Sequence, residues 1–218
     1  MSQQKSDYAD DTEIDVTLDE LPDDETIRET VESLEANGFE VVVVDSVDDA
    51  LEAIKSQIPA GASVMNGHST TLEEIGFEDY LSGGDHEWES LPDQIWSIDD
   101  DEERQAARRE SQTADYFLGG INAISQTGEL VAADLSGSRI GAYPFAAGNV
   151  IIVSGANKIV PTLDDALDRL ESVAYPLENE RAQEAYGVES AIAKQLIFRR
   201  EAEEGRTTLV LVREQLGY

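Results

Sequence analysis

Apolar positions recur at helical spacing over residues 26–37, where Ile27, Val31 and Leu34 share one face and Gly38 follows as a residue suited to a left-handed cap. The run Phe39-Glu40-Val41-Val42-Val43-Val44 is nearly continuous and β-branched, which predicts a parallel strand covered by helices on both faces. A second helix reads over residues 47–58, with Ala50, Leu51, Ile54 and Ile58 inward and Pro59 as its stop. Residues 62–65 predict a short strand. In the segment that follows, Thr70 and Glu73 have the spacing of a capping box and Gly76 closes the turn of helix. The alternation predicts an α/β fold, a mainly parallel sheet flanked by helices.

Further along, the polar connection 82–97, which carries Trp88 and Trp96, reads as an irregular surface loop rather than a lid. A charged helix is expected over 99–115, with acids at its N-terminal end as the macrodipole favours. Residues 116–118 form a buried strand running into Gly119-Gly120, a short helical piece, a second turn at Gly128 and a new strand from Leu130. Residues 149–153 read as the last central strand. Thr162 and Asp165 start a helix with Leu163, Ala166, Leu167 and Leu170 inward; Pro176 ends it, residues 177–197 read as further helix, and 207–212 as a closing strand.

At 218 residues the chain has material for one core. Its 47 acidic and 15 basic residues give a net charge of −32, which excludes most nucleic-acid binders because phosphate backbones require a basic footprint. No window approaches the roughly 18 apolar residues of a membrane span, and the first twenty residues lack the basic and apolar regions of a signal peptide, so a cytoplasmic location without membrane insertion is expected. Residues 1–25 hold ten acids and one base, Lys5, and read as an acidic disordered tail preceding a domain over 26–218. That domain keeps 37 acids against 14 bases, so the excess belongs to its surface. Only four of the basic residues are Lys. This pattern reads as adaptation to molar salt, where the Debye length falls to about 3 Å from about 10 Å at 0.1 M and carboxylate repulsion is screened; an ordinary acidic protein is the alternative.

Zero Cys excludes disulfides, thiolate zinc sites and iron–sulfur ligation by this chain, and two His, His68 and His86, argue against a histidine-rich metal site. No metal or cofactor is expected. Three segments offer chemistry. In Gly67-His68-Ser69-Thr70-Thr71, free N–H groups and hydroxyls at a helix start suit a phosphate or carboxylate, unless they only cap the helix; His68 is a candidate base or a bystander. In the segment from Asn122 through Thr127, Gly128 and Glu129, Gly119 and Gly120 permit close backbone approach, and Glu129 is a candidate acid or base or else a solvated hairpin charge. In Ser154-Gly155-Ala156-Asn157-Lys158, Lys158 is an anion attractor or the partner of a neighbouring carboxylate. Each segment follows a strand, so in a parallel sheet all three meet at one edge.

Thr71-Leu72-Glu73-Glu74-Ile75-Gly76, Asn122-Ala123-Ile124 through Thr127-Gly128-Glu129-Leu130-Val131, Gly155-Ala156-Asn157-Lys158-Ile159-Val160 and the ending from Leu209 to Tyr218 resemble the LUD-domain family, lactate utilisation protein C type, in order along residues 26–218. The resemblance implies a fold like sugar-phosphate isomerases and CoA transferases. It also implies a role in oxidising lactate to pyruvate beside iron–sulfur partner proteins. Many relatives of this type carry a Cys cluster where this chain has Tyr186 to Lys194 without one, and a small residue where it has His68. The leading expectation is an accessory or subunit protein of a lactate-oxidising system whose sheet edge holds a small carboxylate or docks a partner. The rival is an independent enzyme or binder for a phosphorylated sugar or CoA ester, with Thr70 and Lys158 on anionic groups and Glu129 as acid or base.

Overall fold

The computed structural model describes Lys5 and residues 12–218. In chain order the elements are α1 (Asp24–Ala36), β1 (Glu40–Val44), α2 (Val47–Gln57), β2 (Ser63–Asn66), α3 (Thr70–Glu74), α4 (Phe77–Gly83), β3 (Glu89–Ser90), α5 (Leu91–Trp96), α6 (Asp101–Glu110) and β4 (Tyr116–Gly120). There follow β5 (Ala123–Ser125), β6 (Leu130–Asp134), β7 (Asn149–Gly155), β8 (Ile159–Val160), α7 (Leu163–Arg169), α8 (Tyr175–Tyr186), β9 (Lys194–Phe198) and β10 (Thr207–Val212). Six strands form a wholly parallel sheet in the order β1-β10-β7-β4-β2-β3. A smaller sheet, β8-β5-β6-β9, packs beside it.

Burial follows strand position. Val150, Ile151, Ile152 and Val153 in β7 and Leu209, Val210, Leu211 and Val212 in β10 are almost fully buried, as expected where helices cover both faces. The valines of β1 are only half-buried because that strand lies at the sheet edge, not in its interior. One apolar cluster fills the face built from Leu34, Phe117, Ile152 and Leu209, and another the opposite face from Ile54, Val64, Leu72 and Val210. A third lies between the small sheet and the α7–α8 helices.

Several expectations are corrected. β7 is not the last central strand, since β10 inserts between it and β1. The connection 82–97 contains β3, paired to β2, and α5; Trp88 donates from Nε1 to Ile58 O at 3.1 Å. The short helical piece after Asn122 is β5, because Ile124 pairs with Leu130 in a hairpin and with Ile159 on its other side. Helix does not continue to residue 197: Gly187, at φ +68, ends α8, and 194–198 pair with β6 as β9. Pro176 sits in the first turn of α8, where its missing N–H costs nothing, and a wide π-type turn, Leu170–Ala174, joins α7 to α8. Ser69, rather than Thr70, caps α3. The capping box of Thr162 and Asp165 forms as expected.

The segment read as a tail is represented by Lys5 and residues 12–25. Here Ile14 and Leu18 pack on the small-sheet cluster, and Asp19 is buried. The rest of that segment, 1–4 and 6–11, lies outside the described residues.

Candidate functional site

Because β2, β4 and β7 run parallel, their carboxyl ends open on one side of the sheet, and the chain leaves each of them there. A cavity of about 800 Å³ occupies this edge. Gly67, His68, Ser69, Thr70, Thr71, Asn122 and Lys158 line it, so the convergence expected from sequence is present for these seven. Asn157, Thr127, Gly128 and Glu129 do not line it.

Glu129 is carried away by the hairpin. Asn122 stands at the cavity end of β5, and the turn at 126–129 lies at the other, about 10 Å along the strand. There the Glu129 carboxylate accepts from Ser125 and Thr127 at 2.5 Å and pairs with Arg199 at 3.1 Å. Burial works to raise its pKa, but these hydroxyls and Arg199 outweigh it and hold the carboxyl below its usual range. Gly128, at φ +89, packs against Ser33 of α1 and the Asn37 that caps it.

Lys158 is almost wholly buried. Its ammonium donates to Thr71 Oγ1 at 2.9 Å, Ile121 O at 3.0 Å and Tyr218 O at 3.2 Å, so all three of its hydrogens are spent within the chain. Burial, reinforced by Arg169, pushes the ammonium well below its ordinary range, with Glu74 pulling the other way. Gly217, at φ +54, packs so closely over Thr71 that a Cβ would lie 2.1 Å from the hydroxyl, and its N–H donates to Glu74 at 2.6 Å. The start of α3 is therefore covered by the chain's own residues 217–218. Gly119 and Gly120 are needed for close approach too, though to side chains of this protein: a Cβ would meet Tyr143 Oη at 2.0 Å or Ser69 Oγ at 2.5 Å.

Asn157 and Lys158 face different surroundings. The Asn157 amide donates to Asp19 Oδ1 at 2.8 Å, and its oxygen accepts from Leu216 N at 3.0 Å. Asp19 also takes Arg169 at 2.6 Å, Gln215 at 2.9 Å and Lys5. Burial works to raise the Asp19 pKa, but Lys5 and Arg169 hold it below the usual aspartate range.

The remaining walls come from elements not singled out in the sequence. Arg139, in the turn after β6, lines the cavity and uses one guanidinium hydrogen on Ala133 O at 2.6 Å. Arg108, half-buried on α6, lines it with no side-chain partner among the described residues. On α8, Arg181 forms a two-point ion pair with Glu178 at 2.8 Å, and Tyr218 donates to the same carboxylate at 3.0 Å. Opposite them stand His68, with Nδ1 3.3 Å from Glu73 Oε1, and Glu78, which takes a hydrogen bond from Asn66 at 3.1 Å. Burial and the guanidinium groups of Arg181 and Arg139 lower His68 to about 4, so its imidazole is neutral near pH 7; Glu178 opposes them. Burial, with the charges of Glu73 and Asp79, raises Glu78 to about 7. Cations rare in a chain at −32 thus collect at one cavity, while Trp96, Leu135, Tyr186 and Val188 give it exposed apolar lining.

The LUD domain family model matches residues 27–212. Among solved structures, a DUF162 family protein from Deinococcus radiodurans superposes with a TM-score of 0.51 at 14% identity, over 86% of this chain and 96% of that one. Ribose 5-phosphate isomerase from Plasmodium falciparum gives 0.34 at 12% identity over 75% and 81%, and eIF2B delta from Chaetomium thermophilum 0.33 at 16% over 66% and 54%. At 14% identity the likeness to the Deinococcus protein is one of fold. No curated protein matches the chain.

Proposed function

Because the chain belongs to the LUD-domain family, we propose that it is a lactate-utilisation protein, an accessory or subunit of a system oxidising lactate to pyruvate, and that its cavity binds a small carboxylate. The observation that carries this reading is the pair Arg108 and Arg139, whose guanidinium groups keep unspent donors at an 800 Å³ cavity of a strongly acidic protein. A planar guanidinium matches a carboxylate in two-point geometry, and the net charge of −32 makes an exposed anion site elsewhere on the surface unfavourable. The assignment of electron transfer to iron–sulfur partner proteins fits a chain without cysteine. Lys158, with its hydrogens already engaged, holds the cavity floor rather than the ligand.

A second reading has one observation in its favour. The cavity is larger than a three-carbon acid requires and falls within the usual range of sites for larger ligands, which suits a phosphorylated sugar or a CoA ester.

Thermal unfolding in molar KCl with lactate, pyruvate, phosphate, sugar phosphates or CoA separates the two. A ligand at about 100 times its dissociation constant adds about 2.7 kcal/mol, a shift of about 5–10 °C for a chain of this size. A shift with lactate or pyruvate that disappears in Arg139→Ala is the expected result; a shift only with phosphorylated compounds transfers the site to the second reading.

A further inference from the structure

We propose that His68, Glu73 and Glu78 form a binding site for one divalent transition-metal ion on the cavity wall. The three donors come from the loop after β2, from α3 and from α4. The left-handed turn at Gly76, φ +72, folds α4 back beside α3 so that residues five apart in sequence meet. One ligating atom from each side chain lies within 4.8 Å of the other two. His68 Nδ1 and Glu73 Oε1 are 3.3 Å apart. Two donors at about 2.0–2.2 Å from a tetrahedral ion are separated by about 3.4 Å, so this pair already has the spacing of one edge of a coordination shell.

The donor set selects the class of ion. One imidazole with two carboxylates suits zinc, manganese, iron(II) or cobalt better than magnesium or calcium, which favour oxygen alone. Asn66 fixes one oxygen of Glu78 by a hydrogen bond at 3.1 Å, the outer-shell support that ligating carboxylates typically have, and leaves its other oxygen for the ion. Among the described residues Glu78 meets no cationic side chain, although three arginines and Lys158 line the same cavity. An ion between Glu73 and Glu78 offsets the cost of holding two carboxylates together at a partly buried wall. His68 and Glu78 both line the cavity, so the remaining coordination positions open into it, as in sites where three protein ligands leave room for water or a bound small molecule. This departs from the expectation of no metal, which rested on the scarcity of His and Cys; a single His is sufficient when the fold supplies two carboxylates.

The site is tested without any organic ligand, so its failure is separate from failure of the anion reading. The full chain, freed of metal by a chelator and held in molar KCl to screen diffuse binding by surface acids, is titrated with Co²⁺. Saturable uptake of one equivalent with visible ligand-field absorption is expected. In His68→Ala and in the near-isosteric Glu78→Gln, affinity falls by more than about 100-fold and the absorption is lost, while the exposed-acid control Glu102→Ala titrates as the parent does. Circular dichroism of each metal-free protein establishes that it is folded. Non-saturating uptake by the parent, or equal saturable uptake by both folded variants, overturns the proposal.

Discussion

Asn157 and Lys158 are adjacent in sequence, yet they belong to two charged regions built on opposite terms. Around Asp19, charges and amides are matched: Lys5, Arg169, Asn157 and Gln215 all reach the one carboxylate. On the cavity side of Lys158, Arg108 has no side-chain partner among the described residues, Arg139 uses one of its five hydrogens, and Glu78 is held by an amide alone. Both places hold carboxylates, arginines and amides. Saturation of donors and acceptors distinguishes them: the first is closed on itself, and the second keeps donors open to the cavity.

The comparison can be broken on a large scale first. The acids outnumber the bases 47 to 15, so we predict loss of the fold on dilution from molar KCl to below about 0.1 M, followed by circular dichroism. A melting temperature unchanged over that range refutes adaptation to salt. Next, Asp19→Ala leaves Arg169 buried without its carboxylate and should cost about 3–5 kcal/mol in denaturant unfolding at high salt. A cost below about 1 kcal/mol would place this cluster with ordinary surface ion pairs. The pH dependence has a definite sign. The folded pKa of Asp19 lies below its ordinary value, so its contribution is complete above about pH 4 and is lost as pH falls through the lower folded value. The acid limb of the stability curve should accordingly flatten in Asp19→Asn.

Lys158→Ala sharpens the boundary between the regions. It removes three hydrogen bonds and a buried stem, for about 2–4 kcal/mol of stability. A loss confined to ligand affinity, with stability intact, would return Lys158 to the role of an anion ligand. The smallest effect on stability is expected for Arg108→Ala, within about 0.5 kcal/mol, because none of the described residues depends on its guanidinium. Its effect should appear in calorimetric titration instead, as about tenfold weaker binding of whichever anion stabilises the protein, equivalent to about 1.4 kcal/mol.

Local signals made much of the fold legible. Periodicity placed α1 and α2, and the β-branched runs placed β1, β7 and β10, because in these segments local preference and tertiary burial agree. It failed for residues 177–197, where Gly187 and an alternating strand were absorbed into one helical reading, and at Ala123-Ile124-Ser125, a three-residue strand too short to show its period. At the site, the convergence of the 67–71, 122 and 158 segments followed from parallel topology alone. The fate of Lys158 did not, since its acceptors lie at positions 71, 121 and 218. Arg108, Arg139 and Glu78 were missed for a related reason: among eleven arginines and 47 acids, nothing local shows which ones face a cavity. A basic residue in the turn Ser136-Gly137-Ser138-Arg139, in a chain where such residues are scarce, was the one available signal.

The place of β10 bears on how this chain is born. Glu40 pairs with Thr208 and Val150 with Thr207, so the last made of the ten described strands is the one that joins β1 to the rest of the sheet. Until it emerges from the ribosome, β1 and β7 each present an unsatisfied parallel edge. Pairing over so many intervening residues is slow to nucleate, and the dense negative charge of the nascent chain then acts as its protection against association during the wait.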